Sequence, residues 1–396
     1  MNLRGHMKLV VSTDSMSTVG RVRPTYIDGM TVFYYTIGMK SDRPDRTRGA
    51  QANPPNRFAR QQREAFDDGW QGEIESLPPL QTRVSAEQAR SILSYNQSPD
   101  VPVDRSINPY RGCEHGCVYC FARPSHAYLD LSPGLDFETR LFHKANAVEL
   151  LEAEFRKPDY QPKPIALGIN TDAWQPIERK LGLARRLLEL MVEYRHPVSI
   201  LTKGATLMRD LDLLEDLARD NLVSVAISIT TLDNELKRRM EPRTASPRTR
   251  LRMLSALAGI GIDPGVMVAP VIPAINDAEI EQILEQSAAA GAQRAGYVVL
   301  RLPHELKILF RDWLAEHFPD RAEHVISLVR QLHGGKDYDH RFGRRQSGSG
   351  TLAQLIAHRF ELARKRFGLD GDEDRSLSTR AFRIPDHAGD QFSLFT

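Results

Sequence analysis

Cysteine is nearly absent from this chain: three residues in 396, all between Cys113 and Cys120. An odd, clustered set makes a poor disulfide framework. In a reducing compartment such a cluster points to metal binding or catalysis. Long apolar runs are missing too. The most tempting one, residues 31–39, is far too short to span a bilayer, and its flanks carry no signal-peptide cleavage pattern. The expectation is a cytoplasmic protein without membrane contact. There is also no overall excess of charge of either sign: the formal net charge is +2 at pH 7, so the whole-chain balance says little about partners.

Charge is nevertheless uneven. Residues 40–63 hold seven Lys/Arg against two Asp, 237–252 hold seven against one Glu, and 334–368 hold eight against three acids. Such runs bind nucleic acid or phosphate, or are solvated helix faces; charge alone does not separate the two. A chain of this length can bury a sizeable core, and suits one large α/β barrel with additions or two domains.

Residues 1–38 show no strong helical or strand period, and Met39 is a plausible alternative start. The stretch 53–63 is polar and expected to be loop. A short helix is expected over 85–95, with Ser85 as N-cap and Gln88 three residues on. From about Ser106 apolar runs alternate with amphipathic stretches. Strands are expected at 165–170, 198–202, 223–229, 264–272 and 295–301, with one more before Cys113. Leu207, Leu211, Leu214 and Leu217 form a helical stripe. Ser246-Pro247 reads as an N-cap with Pro at N1, and Gly259 as the stop. Asn276 and Glu279 resemble a capping box, with Gly291 ending that helix. Alternating strands and helices predict a parallel sheet with helices outside. About six such units suit an incomplete (βα)6 TIM-like barrel with an N-terminal arm and a C-terminal helical extension; an eight-unit barrel needs more repeats. The expected division is 1–100 extension and arm, 101–303 partial barrel, 304–369 helical part, and 370–396 flexible tail. The Gly- and Arg-rich stretch 334–350 reads equally as a phosphate-binding loop or an exposed turn.

The chemistry concentrates in RGCEHGCVYCFAR, residues 111–123, whose thiols are spaced C-x3-C-x2-C. A [4Fe-4S] cluster normally takes four cysteines. This chain supplies Cys113, Cys117 and Cys120, so one iron needs a ligand from elsewhere, as a catalytic zinc keeps an open position. Gly112 and Gly116 let the loop wrap closely. The competing readings are a Cys3His zinc site using His115, His126 or His143, and a purely structural cluster.

This spacing, with Tyr119 before the third cysteine, resembles the signature of the radical S-adenosylmethionine (radical SAM) superfamily. The resemblance extends over roughly 106–369: INPYRGCEHGCVYCFAR, NTDAWQPIE (170–178), ILTKG (200–204), SVAISITT (224–231), RMEPRTASPRTRL (239–251) and VAPVIPAIND (268–277) look like the spore photoproduct lyase-like branch. DDGW (67–70), the segment 123–144 and FGRRQSGSG (342–350) resemble a bacterial subgroup of it. The resemblance implies a [4Fe-4S] cluster on the three cysteines. It also implies SAM chelating the fourth iron, reductive cleavage of SAM, hydrogen abstraction from a substrate, and an electron donor of flavodoxin or ferredoxin type. Carried over motif by motif, Tyr119, Thr171, Asp172, Lys203, Ser228 and Ala269 fall where the family surrounds SAM. A lysine suits the carboxylate of SAM as a point cation. Arg243 clamps a carboxylate or phosphate, or pairs with Glu241 or another acid. Gln175-Pro176 reads as a turn beside Trp174, and Glu178 as a helix opener. One departure is decisive. Spore photoproduct lyase returns a hydrogen atom from a cysteine near its Thr/Ser-Asp motif; here Gly168, Ile169 and Asn170 precede Thr171-Asp172, and there is no fourth cysteine. Tyr128 and Tyr338 are the alternative donors. The substrate is either unassigned or, on the family branch and the basic run 237–252, a nucleic acid under repair or modification. A metal-stabilised nucleic-acid-binding protein without turnover is the competing class.

Overall fold

The computed structural model describes residues 23–27, 30–34, 47–59, 80–101, 103–371 and 376–386, the first two by backbone alone. DDGW and the Met39 alternative start lie outside the described residues. Where 1–38 shows no sequence period, β1 (Arg23–Ile27) and β2 (Met30–Tyr34) form an antiparallel hairpin, part of a separate unit, Met1–Met39.

Ten further strands follow among the described residues: β3 (Arg83–Glu87), β4 (Leu93–Tyr95), β5 (Arg105–Ile107), β6 (Tyr110–Arg111), β7 (Arg140–Lys144), β8 (Ile165–Leu167), β9 (Val198–Thr202), β10 (Val223–Ser228), β11 (Gly265–Val271) and β12 (Arg294–Val299). The main sheet runs β12-β11-β10-β9-β8-β5-β4. Neighbours from β5 to β12 pair in parallel, and β4 closes the edge antiparallel to β5. The five strands expected after the cysteine motif are all present: β9 has the expected bounds, β10 and β11 are shorter by a residue at one or both ends, β8 stops three residues early, and β12 starts one residue early and stops two residues early.

Alternation sorts the two faces of this sheet. Ile107, Ile165, Leu167, Val198, Ile200, Val225, Ile227, Val266 and Val268 are buried against the helices. The alternate positions are mostly small: Ser106, Ala166, Ser199, Ala226 and Ala269, with Leu201 and Met267 the larger ones. Parallel sheets are usually covered on both faces. Here Ser199, Ala226, Met267 and Ala269 stay partly exposed and Leu201 is 45% exposed, so the second face borders open space.

The outer layer follows the expected helical stripes. Leu207, Leu214 and Leu217 are fully buried, with Leu211 at the margin of the same cluster; each fully buried leucine contributes about 1.5–3 kcal/mol. The Ser246 hydroxyl accepts from the Thr249 amide and Pro247 opens the helix Pro247–Gly259, as expected. Asn276 departs from expectation: rather than capping, its buried amide accepts from Ile272 N and donates to the Thr230 and Pro270 carbonyls. Glu279 instead receives Thr231 Oγ1 and Leu232 N. A capping box leaves both side chains on a helix end; here two neighbouring strand ends offer better-buried partners.

The expected helix over 85–95 is absent. Strand β3 pairs in parallel with β7, with Ser85 opposite Phe142, and β4 joins the main sheet. Tertiary strand pairing overrides the local capping signal. Residues 80–95, expected in a partly irregular extension, thus supply β3 to the small sheet and β4 to the main sheet. Helix Thr351–Arg366 buries Ile356, Phe360 and Ala363 in the main core. Part of the expected flexible tail is also held: Phe382 packs with Phe155, Tyr160, Tyr194 and His196, and Arg383 N donates to Tyr194 O at 3.1 Å. Among the described residues no helix is long and apolar enough to cross a membrane.

Candidate active site

The small sheet β3-β7-β6 launches the cysteine loop, since β6 ends at Arg111. Cys113 N donates to Phe137 O at 2.9 Å. Gly112 and Gly116 have φ of 79° and 69°. A Cβ at Gly112 would stand 2.6 Å from Leu141 and 2.8 Å from Phe137 O, so the tight wrap needs glycine there.

Two fully buried charges hold this loop. Arg123 Nε donates to Cys117 O at 2.8 Å, and its Nη1 donates to the carbonyls of Pro133 and Gly134. Its Nη2 pairs with Glu138. The Glu138 carboxylate also accepts Gly49 N at 3.0 Å and Ala50 N at 2.8 Å. The arm therefore lies directly on the cysteine loop: a Cβ on Gly49 would fall 1.6 Å from Gly116 O.

The strand-end loops interlock beneath. Thr171 Oγ1 donates to Gly112 O at 2.7 Å, and Gln175 Nε2 reaches the same carbonyl at 3.2 Å. Gln175 Oε1 accepts Glu114 N at 2.7 Å. Asp172 accepts from Trp174 N, Thr202 Oγ1 and Lys203 N, and faces His115 Nδ1 at 3.3 Å. Burial opposes its charge, but His115, the Lys203 amide and the Thr202 hydroxyl hold its pKa down at about 2. Gly204 lies so close to Trp174 that a Cβ would stand 2.2 Å from the Trp174 carbonyl, which explains the TKG step. Glu178 does more than open a helix: fully buried, it accepts Tyr110 Oη, Arg209 Nη2 and the Ala184 and Arg185 amides.

Tyr119 is buried, and its hydroxyl bonds Glu241. Glu241 also receives Thr230 Oγ1 at 2.8 Å and pairs with Arg250, which donates in turn to Ser228 O at 2.9 Å. Burial disfavours the Glu241 charge, yet Arg250 and Lys203 hold its pKa at about 2. Lys203 Nζ lies 5.8 Å from the centre of the Tyr119 ring.

The expected site residues thus meet at the carboxyl ends of the strands, where chemistry sits in such folds. Thr171, Asp172 and Lys203 adjoin the loop directly, and Ser228 joins through its carbonyl. Ala269 is a partly exposed residue of β11. Arg243 does not pair with Glu241; it meets Glu114 at 3.1 Å, because Arg250 already occupies the Glu241 carboxylate. Tyr128 is 72% exposed beside Phe58, whereas Tyr338 stands by Arg301. Of the basic run 237–252, Arg250 is buried in its ion pair, Arg243 holds Glu114, Arg238 and Arg239 share Glu235, and Lys237 donates to Pro242 O. The stretch 334–350 is a docked segment: Gly343 N and Arg345 bind Asp100, and Gln346 O accepts Val299 N at the end of β12. Sequence reasoning missed Glu138 and Arg123 as supports of the loop, and gave Glu241 only as a possible partner of Arg243. A lone acid inside a run of cations was the available signal for Glu241. A cavity lined by Asn221, Ser224, Asp263 and Arg294 among others lies at the amino-terminal end of the strands, away from the cysteines.

Comparison with known proteins decides the family. A model of the radical SAM superfamily matches residues 107–286. An uncharacterized protein of Mycobacterium tuberculosis is 40% identical over 235 residues, covering 59% of this chain and 68% of its own. The chain belongs to the radical SAM superfamily. An uncharacterized protein of Methanocaldococcus jannaschii is 29% identical over 222 residues, 56% of this chain and 78% of its own. Spore photoproduct lyase superposes with a TM-score of 0.52 at 15% identity, over 72% of this chain and 79% of that one; at that identity the likeness is one of fold. A radical SAM protein is an enzyme that works with a [4Fe-4S] cluster and SAM.

The residues present fit that cluster. Cys113 and Cys117 are buried and Cys120 half-buried. Burial, Asp172 and the other two thiols push the Cys113 pKa well up, and burial and Glu241 push Cys117 up to about 12 against the pull of Lys203. Buried thiols that disfavour one another's ionisation are ones that a positively charged metal centre ionises. Zinc fits less well. His115 faces Asp172, and His126 bonds Arg140 O at 3.0 Å with its pKa pushed down to about 4 by burial.

Proposed function

We propose that Cys113, Cys117 and Cys120 ligate three irons of the [4Fe-4S] cluster, leaving the fourth for SAM, and that the open face of the sheet receives SAM and substrate. The six parallel strands β5, β8, β9, β10, β11 and β12 are read as six βα units of an incomplete barrel. The observation that carries the proposal is the position of the cysteine loop: it lies at the carboxyl ends of a parallel sheet whose inner face is small and partly exposed.

When bound, the cluster and SAM together supply the one-electron cleavage through which a substrate hydrogen is abstracted. The chain's own groups bind, orient and exclude water. Lys203 meets the SAM carboxylate as a point cation, and Thr171 and Asp172 lie beside its amino group. Asp172 also fixes the Lys203 backbone, so the cation is aimed by a neighbouring strand. Tyr119 holds the loop to Glu241 through its ring hydroxyl, leaving its backbone for the adenine. Ser228 and Ala269 are small enough to let the nucleoside lie against the sheet. The reductant is expected to be a flavodoxin or ferredoxin type protein. Without a fourth cysteine, a product radical cannot be quenched by a thiol of this chain.

The test is iron and sulfide content after anaerobic purification, with 5′-deoxyadenosine formation measured on the reduced protein. About four irons per chain and 5′-deoxyadenosine from SAM are expected. Zinc in place of iron, or an iron cluster inert to SAM, overturns the reading.

A further inference from the structure

Arg301 follows β12 at the same end of the sheet as the cysteine loop. Its guanidinium carbon lies 5.1 Å from the centre of the Phe121 ring and 5.9 Å from that of Tyr338. Phe121 directly follows Cys120 and is 44% exposed. Among the described residues Arg301 forms no ion pair. Its one hydrogen bond runs from Nη2 to the Tyr338 hydroxyl at 3.4 Å, long for such a bond. Its Nε is buried without a partner. Nearby Asp100 is committed to Arg345 and Gly343 N, and Asp339 to Arg341. Arg311 and Arg330 contrast with Arg301: each meets a carboxylate, that of Asp337.

A buried donor without a partner calls for an explanation. A guanidinium placed over two rings, with donors unspent, presents the fork that matches a carboxylate or phosphate. The exposed Phe121 ring beside it offers a face for a second flat ring. We infer that Phe121, Arg301 and Tyr338 form a substrate subsite for an organic oxyanion, phosphate or carboxylate, carried by an aromatic or heteroaromatic ring. Arg301 takes the anion and Phe121 stacks on the ring. The site next to Cys120 sets that ligand beside the cluster, so its role as a substrate site rests on the assignment of the three cysteines.

Binding is measured directly, without SAM or reductant, so its outcome is independent of the cleavage assay. Anaerobic, cluster-loaded protein is titrated calorimetrically with phenyl phosphate, benzoate and inorganic phosphate. Phenyl phosphate or benzoate should bind at least about tenfold more tightly than inorganic phosphate, and the tighter of the two identifies the oxyanion. Arg301→Gln should weaken that ligand about tenfold or more, and Arg301→Lys by less, since a lysine keeps the charge and loses the fork. Phe121→Ala should weaken the ring-bearing ligand and leave inorganic phosphate unchanged, a readout that survives if the arginine variants fold poorly. Binding of the ring-bearing ligand no tighter than inorganic phosphate, or unaffected by both Arg301→Gln and Phe121→Ala, overturns the inference.

Discussion

Replacing Glu138 by Gln keeps its shape and removes its charge. In the native fold that carboxylate accepts Arg123, Gly49 N and Ala50 N, and both members of the Arg123–Glu138 pair are fully buried. Breaking one side of a buried pair costs about 3–5 kcal/mol, because the partner charge is left uncompensated. The lost charge-assisted bonds to the arm amides, about 1.5–3 kcal/mol each, overlap with that figure rather than add to it. At 1.4 kcal/mol per factor of ten, about 3–5 kcal/mol is roughly two to four orders of magnitude in a local opening equilibrium. The assay is hydrogen exchange at the Gly49 and Ala50 amides in Glu138→Gln against the parent protein. Exchange should accelerate by that factor, with the arm leaving the cysteine loop and iron lost faster. The double variant Arg123→Met/Glu138→Leu should regain much of the stability, since an apolar pair replaces a buried ion pair at little cost. Exchange at both amides within tenfold of the parent would refute the claim that this pair fastens the arm.

Three further outcomes are expected. Lys203→Met should weaken SAM binding about tenfold or more while the iron content holds, measured by equilibrium dialysis of cluster-loaded protein; an unchanged affinity removes Lys203 from the SAM carboxylate. Glu241→Gln, which strands Arg250 and releases the Tyr119 hydroxyl, should destabilise the fold by about 3–5 kcal/mol, with Glu241→Gln/Arg250→Met recovering part of it in denaturant titrations. His196 should make stability fall with acid. Its Nδ1 bonds Pro197 O, its Nε2 bonds the Tyr160 hydroxyl, and burial pushes its pKa down to about 3. The unfolded chain, with a His pKa near 6.5, takes up the proton first as pH drops. This contribution is full above about pH 6.5, shrinks below it, and is about 2 kcal/mol smaller at pH 5. His196→Gln should abolish that slope, and an unchanged slope would assign it to other groups.

The sheet was legible because its strands are apolar runs bounded by helical stripes, and β9 begins and ends where its pattern does. The segment 85–95 was not legible, because β3 exists only through pairing with β7, which no local signal announces. Cys113, Cys117 and Cys120 stand out as candidate ligands from their spacing alone. Their supports could not: Glu138 lies in a short helix where a glutamate is unremarkable, and only the approach of Gly49 and Arg123 makes it a buried hub. Arg243 shows the same limit, since a sequence gives the cation but not which of Glu114 and Glu241 it meets. The tail misled for another reason: a single phenylalanine, Phe382, anchors a polar stretch by entering an aromatic cluster.

The two-faced sheet bears on how such an enzyme changes over time. Its cohesion comes from the outer face, where Ile107, Val225 and Val268 are sealed beneath helices. The inner positions, Ser199, Ala226 and Ala269 among them, contribute little to that cohesion and line the face proposed to receive SAM and substrate. Drift on the inner face is therefore cheap in stability and large in effect on what can be bound. One scaffold can acquire new substrates by exchanging small residues for others, while the layer that keeps it folded is left alone.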